Sequence, residues 1–314
     1  MTDRTDSLPA AFPNGAMSRR SALTLLGAGA LGLAGGGLAR AQARPIMGTW
    51  PVGVQLWSVN AEMHQDAPGA LKRLKATGYD VVETAGLVGL TAPALRTLLD
   101  DNGLVCPSAH VAMGDLASKL DEKIEEAKIL GCQYLVCASP RPLTPIALTG
   151  DWVTAMKKAM TLDAWKANAD DLARIAPRVT ASGLKFAYHN HFMEFIDHDG
   201  VTGYDIITHA ADPAHLRLEI DLGWVLVGGG DPLEVLVRHA DRVDMLHVKD
   251  FVRDPSQPLG FRSVDVGQGL IDWRPVLTAA RRQGVKYLYV EQEAPYVRPV
   301  FESLATARKF LTSL

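Results

Sequence analysis

Cysteine is scarce: the chain has three, Cys106, Cys132 and Cys137. So small and odd a number excludes a disulfide framework as the source of stability. All three lie in or beside apolar, strand-like runs and read as core residues, with a bridge between two of them left open. A basic surplus is also missing. The 314 residues carry 32 Lys and Arg against 35 Asp and Glu, a formal charge of −3. Residues 1–43 hold more basic than acidic groups, so the remainder is more acidic still. That balance argues against nucleic acid or any other anionic polymer as partner. No Gly-rich dinucleotide loop follows the first apolar strand, which counts against a doubly wound open sheet. After residue 43 no hydrophobic run is long enough to span a bilayer.

The N-terminus has an order of its own. Ser18-Arg19-Arg20-Ser21 precedes an uncharged Leu/Ala/Gly run from Ala22 to Leu38, followed by the small-x-small sequence Ala41-Gln42-Ala43. Basic region, apolar region and cleavage site in that order read as a secretory leader, and the paired arginines resemble a twin-arginine (Tat) signal. The expectation is a cleaved leader over 1–43 and a periplasmic mature chain over 44–314, with no membrane association after cleavage. An uncleaved membrane anchor is the alternative. Tat cargo folds before export, which is compatible with free thiols.

From Pro51 onward, short apolar runs alternate with amphipathic segments. Eight strands are expected: Val52–Val59, Asp80–Gly86, Val105–Ala112, Tyr134–Pro140, Lys185–His191, Arg217–Trp224, Val243–Asp250 and Lys286–Glu293. Near-continuous apolar character suits parallel strands buried on both faces. Helices are expected at Asp66–Thr77, Ala92–Asn102, Leu116–Leu130, Leu162–Ser182, Tyr204–Ala211, Asp231–His239, Trp273–Gln283 and Val300–Thr312. Asp231-Pro232 is a helix start. Gly78, Gly131, Gly183 and Gly284 each close a helix just before a strand. Eight β-α units with no visible boundary predict a single (β/α)8 TIM barrel. Its active site would lie at the C-terminal ends of the strands, with Phe251–Gly269 and Pro140–Leu162 as the long loops that could cover it.

Those strand ends are rich in ionisable groups: Glu83, His110, His189, His191, Glu194, Glu219, Asp221, His247, Lys249, Asp250, Glu291 and Glu293. Gathering so many at one rim is costly unless a metal or substrate compensates them. Alternation along a strand selects the inward set, and it brings His189, Asp221, His247 and Glu291 to one side. Mixed imidazole and carboxylate donors without thiolate suit one catalytic divalent ion such as Mn, Co, Zn, Fe or Mg rather than a structural zinc cage. Glu219 reads equally as a structural ion pair. Glu293 has either Arg262 or Lys249 as its partner. His198, His215 and His239 read as solvated or helix-end residues.

The segments Tyr188-His189-Asn190-His191, Glu219-Ile220-Asp221, Leu246-His247-Val248-Lys249-Asp250 and Val266-Gly267-Gln268-Gly269 resemble the sugar phosphate isomerase/epimerase family, the xylose-isomerase-like, AP-endonuclease-2 type of TIM barrel. The likeness runs from about Val52 to Leu314. It implies one divalent metal held by Glu, Asp, His and Glu from strands five to eight. Asp221, His247 and Glu291 match the last three positions. At the first, this chain has His189, with Glu194 from the following turn as the alternative. The Tyr-His-Asn-His variant looks closer to the inosose-dehydratase-like branch and to enzymes acting on 3-keto sugars.

The chemistry implied is proton abstraction beside a metal-polarised carbonyl, giving an enediolate that leads to epimerisation, isomerisation or elimination. Glu291 is the candidate base, His191 and His189 candidate acids or bases, and Lys249 a stabiliser of developing oxyanion charge. Glu83, His110 and Glu293 are candidate substrate contacts. Trp57, Phe192 and Trp224 either stack on a sugar ring or pack the barrel. Export and the lack of a phosphate cradle point to an unphosphorylated substrate: a keto sugar, an inosose or a 3-keto glycoside. A periplasmic sugar-binding protein without catalysis is the alternative from another class. A nuclease on the same barrel is disfavoured by the acidic charge. The resemblance leaves the homo-oligomeric state open, with dimers and tetramers common among such proteins.

Overall fold

The computed structural model describes residues 46–146 and 152–314. The leader expected over 1–43 lies outside the described residues. Eight parallel strands close into a barrel: β1 (Val52–Gln55), β2 (Val81–Ala85), β3 (Val105–Ala112), β4 (Tyr134–Ser139), β5 (Lys185–His189), β6 (Arg217–Asp221), β7 (Val243–Val248) and β8 (Tyr287–Val290). β1 pairs with both β2 and β8, so the ring has no edge. Helices follow the strands on the outside. Their buried faces carry residues such as Leu71 and Leu74, Leu95 and Leu99, and Leu172 and Ile175. Gly131 and Gly284 end their helices in the left-handed conformation, as their positions predicted.

Inside the ring, Val81, Tyr134, Val136, Ala187, Met245 and Tyr289 form a separate apolar cluster. It plugs the barrel beneath the ionisable strand ends, as side-chain layers do in this architecture.

The differences from expectation are local. β1 stops at Gln55, whose side chain accepts from Trp57 N at 3.0 Å and opens a 3-10 turn over Leu56–Val59. The first helix starts earlier, at Asn60, but kinks at Asp66, whose carboxylate caps the second half by accepting from Gly69 N. The sixth strand gives way at Asp221 to a helix over Leu222–Val227, with Asp221 as its cap. The loop expected at 251–269 contains an antiparallel hairpin, Asp250–Arg253 with Phe261–Val264. The 140–162 link carries a short helix, Trp152–Ala159. All three cysteines are buried thiols; Cys106 and Cys132 approach to 3.8 Å between sulfurs, too far for a bond. No described helix is long and apolar enough to cross a membrane.

Candidate active site

The C-terminal ends of β5 to β8 bring four side chains together. One donor atom from each of His189, Asp221, His247 and Glu291 lies within 4.8 Å of the others. All four residues are buried. Each position has a local cause. His189 is the last residue of β5. Asp221 is fixed twice: Oδ1 accepts from Trp224 N at 2.8 Å as the helix cap, and its backbone exchanges two 3.1 Å bonds with the Asn190 side chain. Asn190 was not recognised as a site residue, although it sits inside the Tyr-His-Asn-His segment. His247 Nδ1 meets Glu291 Oε2 at 2.8 Å and stands 3.8 Å from Asp221 Oδ2.

Lys249 is fully buried among carboxylates: Glu293 Oε1 at 2.7 Å, Glu291 Oε2 at 3.0 Å and Asp221 Oδ2 at 3.2 Å. Glu293 therefore pairs with Lys249, while Arg262 pairs with Asp254. Burial alone would lower the lysine, but the three carboxylates outweigh it and keep the ammonium charged. Burial likewise pushes the Glu291 carboxyl up, and Lys249 and His247 overcome it, holding Glu291 well below the usual carboxylate range. Behind the ammonium, Trp224 presents its ring at 4.5 Å and packs on Phe192 and Phe251. Trp224 and Phe192 are buried packing residues rather than exposed stacking surfaces; Trp57 is half exposed at the rim.

A second polar cluster lies against the first. His110, His189, Glu219 and His247 also offer donors within 4.8 Å of one another. His110 Nε2 meets Glu219 Oε2 at 2.6 Å and Glu83 Oε2 at 3.0 Å. Burial lowers His110, but the two carboxylates raise it further, to about 9. Burial and the nearby Glu83 charge push Glu219 up to about 7. Glu83, expected to hold a substrate hydroxyl, is fully buried. Its oxygens face Gln55, Ser108, His110 and His247. Gln55 and Ser108 carried no sequence signal, being ordinary strand residues.

Two histidines behave differently from the rest. Burial and then the charges of His247 and His110 push His189 well below its ordinary value. Burial and Lys249 lower His191 to about 3. Both are neutral imidazoles near pH 7, and neither Nδ1 has a hydrogen-bond partner. Glu194 stands apart from the four donors. Its carboxylate accepts from Tyr188 Oη at 2.9 Å and from backbone N–H groups of its own turn. Of the two strand-five candidates, His189 is the one brought to Asp221, His247 and Glu291.

The donor chemistry fits a divalent cation. Two carboxylates and two imidazoles converge, and the buried atoms His189 Nδ1 and Asp221 Oδ2 make no well-formed hydrogen bond, their nearest charged neighbours being Glu219 at 3.3 Å and Lys249 at 3.2 Å. Lys249 would keep Glu293 when an ion takes its other two carboxylates.

Residues 71–314 match the family model described as xylose isomerase-like TIM barrel. The chain belongs to that family. Among curated relatives it is similar to the inosose dehydratase of Geobacillus kaustophilus, at 26% identity over 68% of this chain and 75% of the relative. Among solved structures, a sugar phosphate isomerase/epimerase from Parabacteroides distasonis superposes with a TM-score of 0.66 at 22% identity, covering 84% of this chain and 94% of that one. A xylose isomerase-like barrel from Mycobacterium smegmatis, solved in complex with magnesium, gives 0.59 at 15% identity, covering 84% and 96%. At these identities the two structures share the fold.

Proposed function

We propose that the chain is a divalent-metal-dependent enzyme that moves a proton next to the carbonyl of an unphosphorylated sugar: a keto sugar, an inosose or a 3-keto glycoside. The observation that carries this reading is the convergence of His189, Asp221, His247 and Glu291 donors within 4.8 Å in the barrel mouth. The family and its inosose dehydratase relatives support carbohydrate as the substrate class. They also favour elimination among the three outcomes open to an α-carbanion.

When bound at these four side chains, the ion supplies Lewis-acid polarisation of the carbonyl. The chain's own residues do the rest. Glu291, held ionised by Lys249 and His247, takes the proton. The Lys249 ammonium, fixed on Glu293, faces the oxygen on which charge develops. His191 is neutral, so it would hold a substrate hydroxyl by hydrogen bonding; in an elimination that hydroxyl would leave as water, carrying away the proton taken by Glu291. Burial of His189, Asp221, His247, Lys249 and Glu291 strengthens the contacts among them.

The Ser18-Arg19-Arg20-Ser21 leader supports export of the folded enzyme to the periplasm, where unphosphorylated sugars are the available substrates.

Metal analysis of the purified wild type beside His247→Ala tests the reading. About one divalent ion per chain, lost in the variant together with turnover of keto sugars, is expected. A wild type that binds no Mn, Co, Zn, Fe or Mg after reconstitution would overturn it and favour a sugar-binding role without catalysis.

A further inference from the structure

We infer that Glu83 is a positioning residue: it fixes the tautomer and ring orientation of His247 so that Nδ1 is presented to the ion. This rests on the metal reading above and says which atoms of the chain prepare the site.

The argument is geometric. The His247 ring is fully buried and its two nitrogens face different partners. Nδ1 points toward Glu291 and Asp221, the two carboxylates of the four-donor group. Nε2 lies 2.7 Å from Glu83 Oε2, with Glu219 farther off at 3.4 Å. Glu291 Oε2 stands equally near Nδ1, at 2.8 Å, but it belongs to the donor set; once an ion takes Glu291, Glu83 is the carboxylate left on the ring and keeps a proton on Nε2. The lone pair is then on Nδ1, on the side of the other donors.

Glu83 is itself immobilised. Gln55 Nε2 donates to Oε2 at 2.8 Å, and the Ser108 hydroxyl donates to Oε1. Gln55 is held in turn, because its carbonyl oxygen accepts from Trp57 N. Three strands, β1, β2 and β3, thus support a carboxylate whose contact across the barrel is a ring on β7. Gln55, Glu83 and Ser108 are all 1% exposed or less, and they hold one another through these hydrogen bonds. The buried charge of Glu83 is compensated by two imidazoles, His247 at 2.7 Å and His110 at 3.0 Å.

The test uses the full chain as wild type, Glu83→Gln and His247→Ala, titrated with Co(II) by calorimetry and by visible absorption. Glu83→Gln keeps the volume and one acceptor but removes the charge. Its Co(II) affinity is expected to fall about 10- to 100-fold, with an altered ligand-field spectrum and an unchanged stoichiometry. Wild-type affinity and spectrum in Glu83→Gln would overturn the positioning role while leaving the metal site intact. A wild type that takes up no Co(II) would overturn both. Should Glu83→Gln fail to fold, ring 15N NMR of the zinc-loaded wild type decides, with His247 assigned by its loss in the variant. Zinc on Nδ1 with a proton on Nε2 is expected; zinc on Nε2 would overturn the inference.

Discussion

A Cβ on Gly269 would stand 2.0 Å from Oδ1 of Asp250. The glycine turn after the strand-seven hairpin closes directly onto this buried carboxylate. Asp250 Oδ2 accepts from Gly267 N, Gly269 N and Trp273 Nε1 at 2.9–3.1 Å, and Oδ1 from Phe251 N and, at 3.3 Å, Ile271 N. Lys249, its chain neighbour, points the other way into the site. Asp250 is therefore the anchor of the loop that borders the site. Gly269→Ala is expected to cost about 1–3 kcal/mol by overpacking. Asp250→Ala is expected to cost about 3–5 kcal/mol by stranding buried donors. Urea unfolding measures both. At temperatures where the variants stay folded, metal stoichiometry should hold at the wild-type value; its loss would mean that Asp250 acts on the site itself.

The inward set His189, Asp221, His247 and Glu291 was legible because parallel strands alternate with period two, and each of these residues sits on or next to a strand end. Depth was not legible. Glu83, Gln55 and Ser108 are register partners across β1, β2 and β3. How far they lie below solvent depends on the stagger of strands round the ring, which no single strand encodes. Alternation also fails past a strand end: β5 stops at His189, so the placement of His191 and Glu194 follows from the turn, not from period two. Asp250 was visible as a strand-end residue of the Leu246–Asp250 segment but not as a loop anchor, since that task depends on a glycine turn seventeen to nineteen positions later.

Lys249→Met should reveal the ammonium as the counter-charge of the donor cluster. Without it, Glu293, Glu291 and Asp221 face one another in a buried site. The metal-free variant is expected to lose about 3–5 kcal/mol. A divalent ion compensates part of that charge, so the rise in Tm on adding metal should be larger in the variant than in the wild type. Turnover should fall about 10²–10³-fold if Lys249 stabilises the developing oxyanion. Calorimetric scans with and without Mn(II), beside steady-state rates, separate the two effects.

Glu194 gives a pH-dependent prediction. Burial, offset in part by Tyr188, pushes its carboxyl from 4.5 up to about 7. The folded state then binds its proton more tightly than the unfolded chain does. Stability from this group is fully present below about pH 4.5, declines as pH rises toward 7, and stays low above it. The shift corresponds to on the order of 3 kcal/mol. Glu194→Gln keeps the contact with Tyr188 and removes the titration. Its stability relative to wild type should therefore improve between pH 5 and pH 8. An equal difference at both values in urea melts would place Glu194 in its ordinary range.

Trp57 separates binding from chemistry. It stands half exposed on the 3-10 turn after β1, and its neighbour Ser58 is tied to the β8 side of the mouth, accepting from Tyr296 Oη at 3.1 Å. Tyr296 is exposed as well, so two exposed aromatic side chains lie in the segments that follow the paired strands β1 and β8. A sugar ring resting there gains about 0.5–1.5 kcal/mol from the aromatic face, equivalent to roughly 2- to 10-fold in affinity. Trp57 touches none of the four donors, so this energy is present in the ground state and transition state alike. Uniform binding of that kind lowers KM and leaves kcat unchanged. Trp57→Ala is accordingly expected to raise KM by that factor for a 3-keto glycoside, with kcat and metal content at wild-type values. Stability should shift by less than about 0.5 kcal/mol, because the side chain is a surface residue. A fall in kcat at constant KM would instead assign Trp57 to closing the site during the reaction.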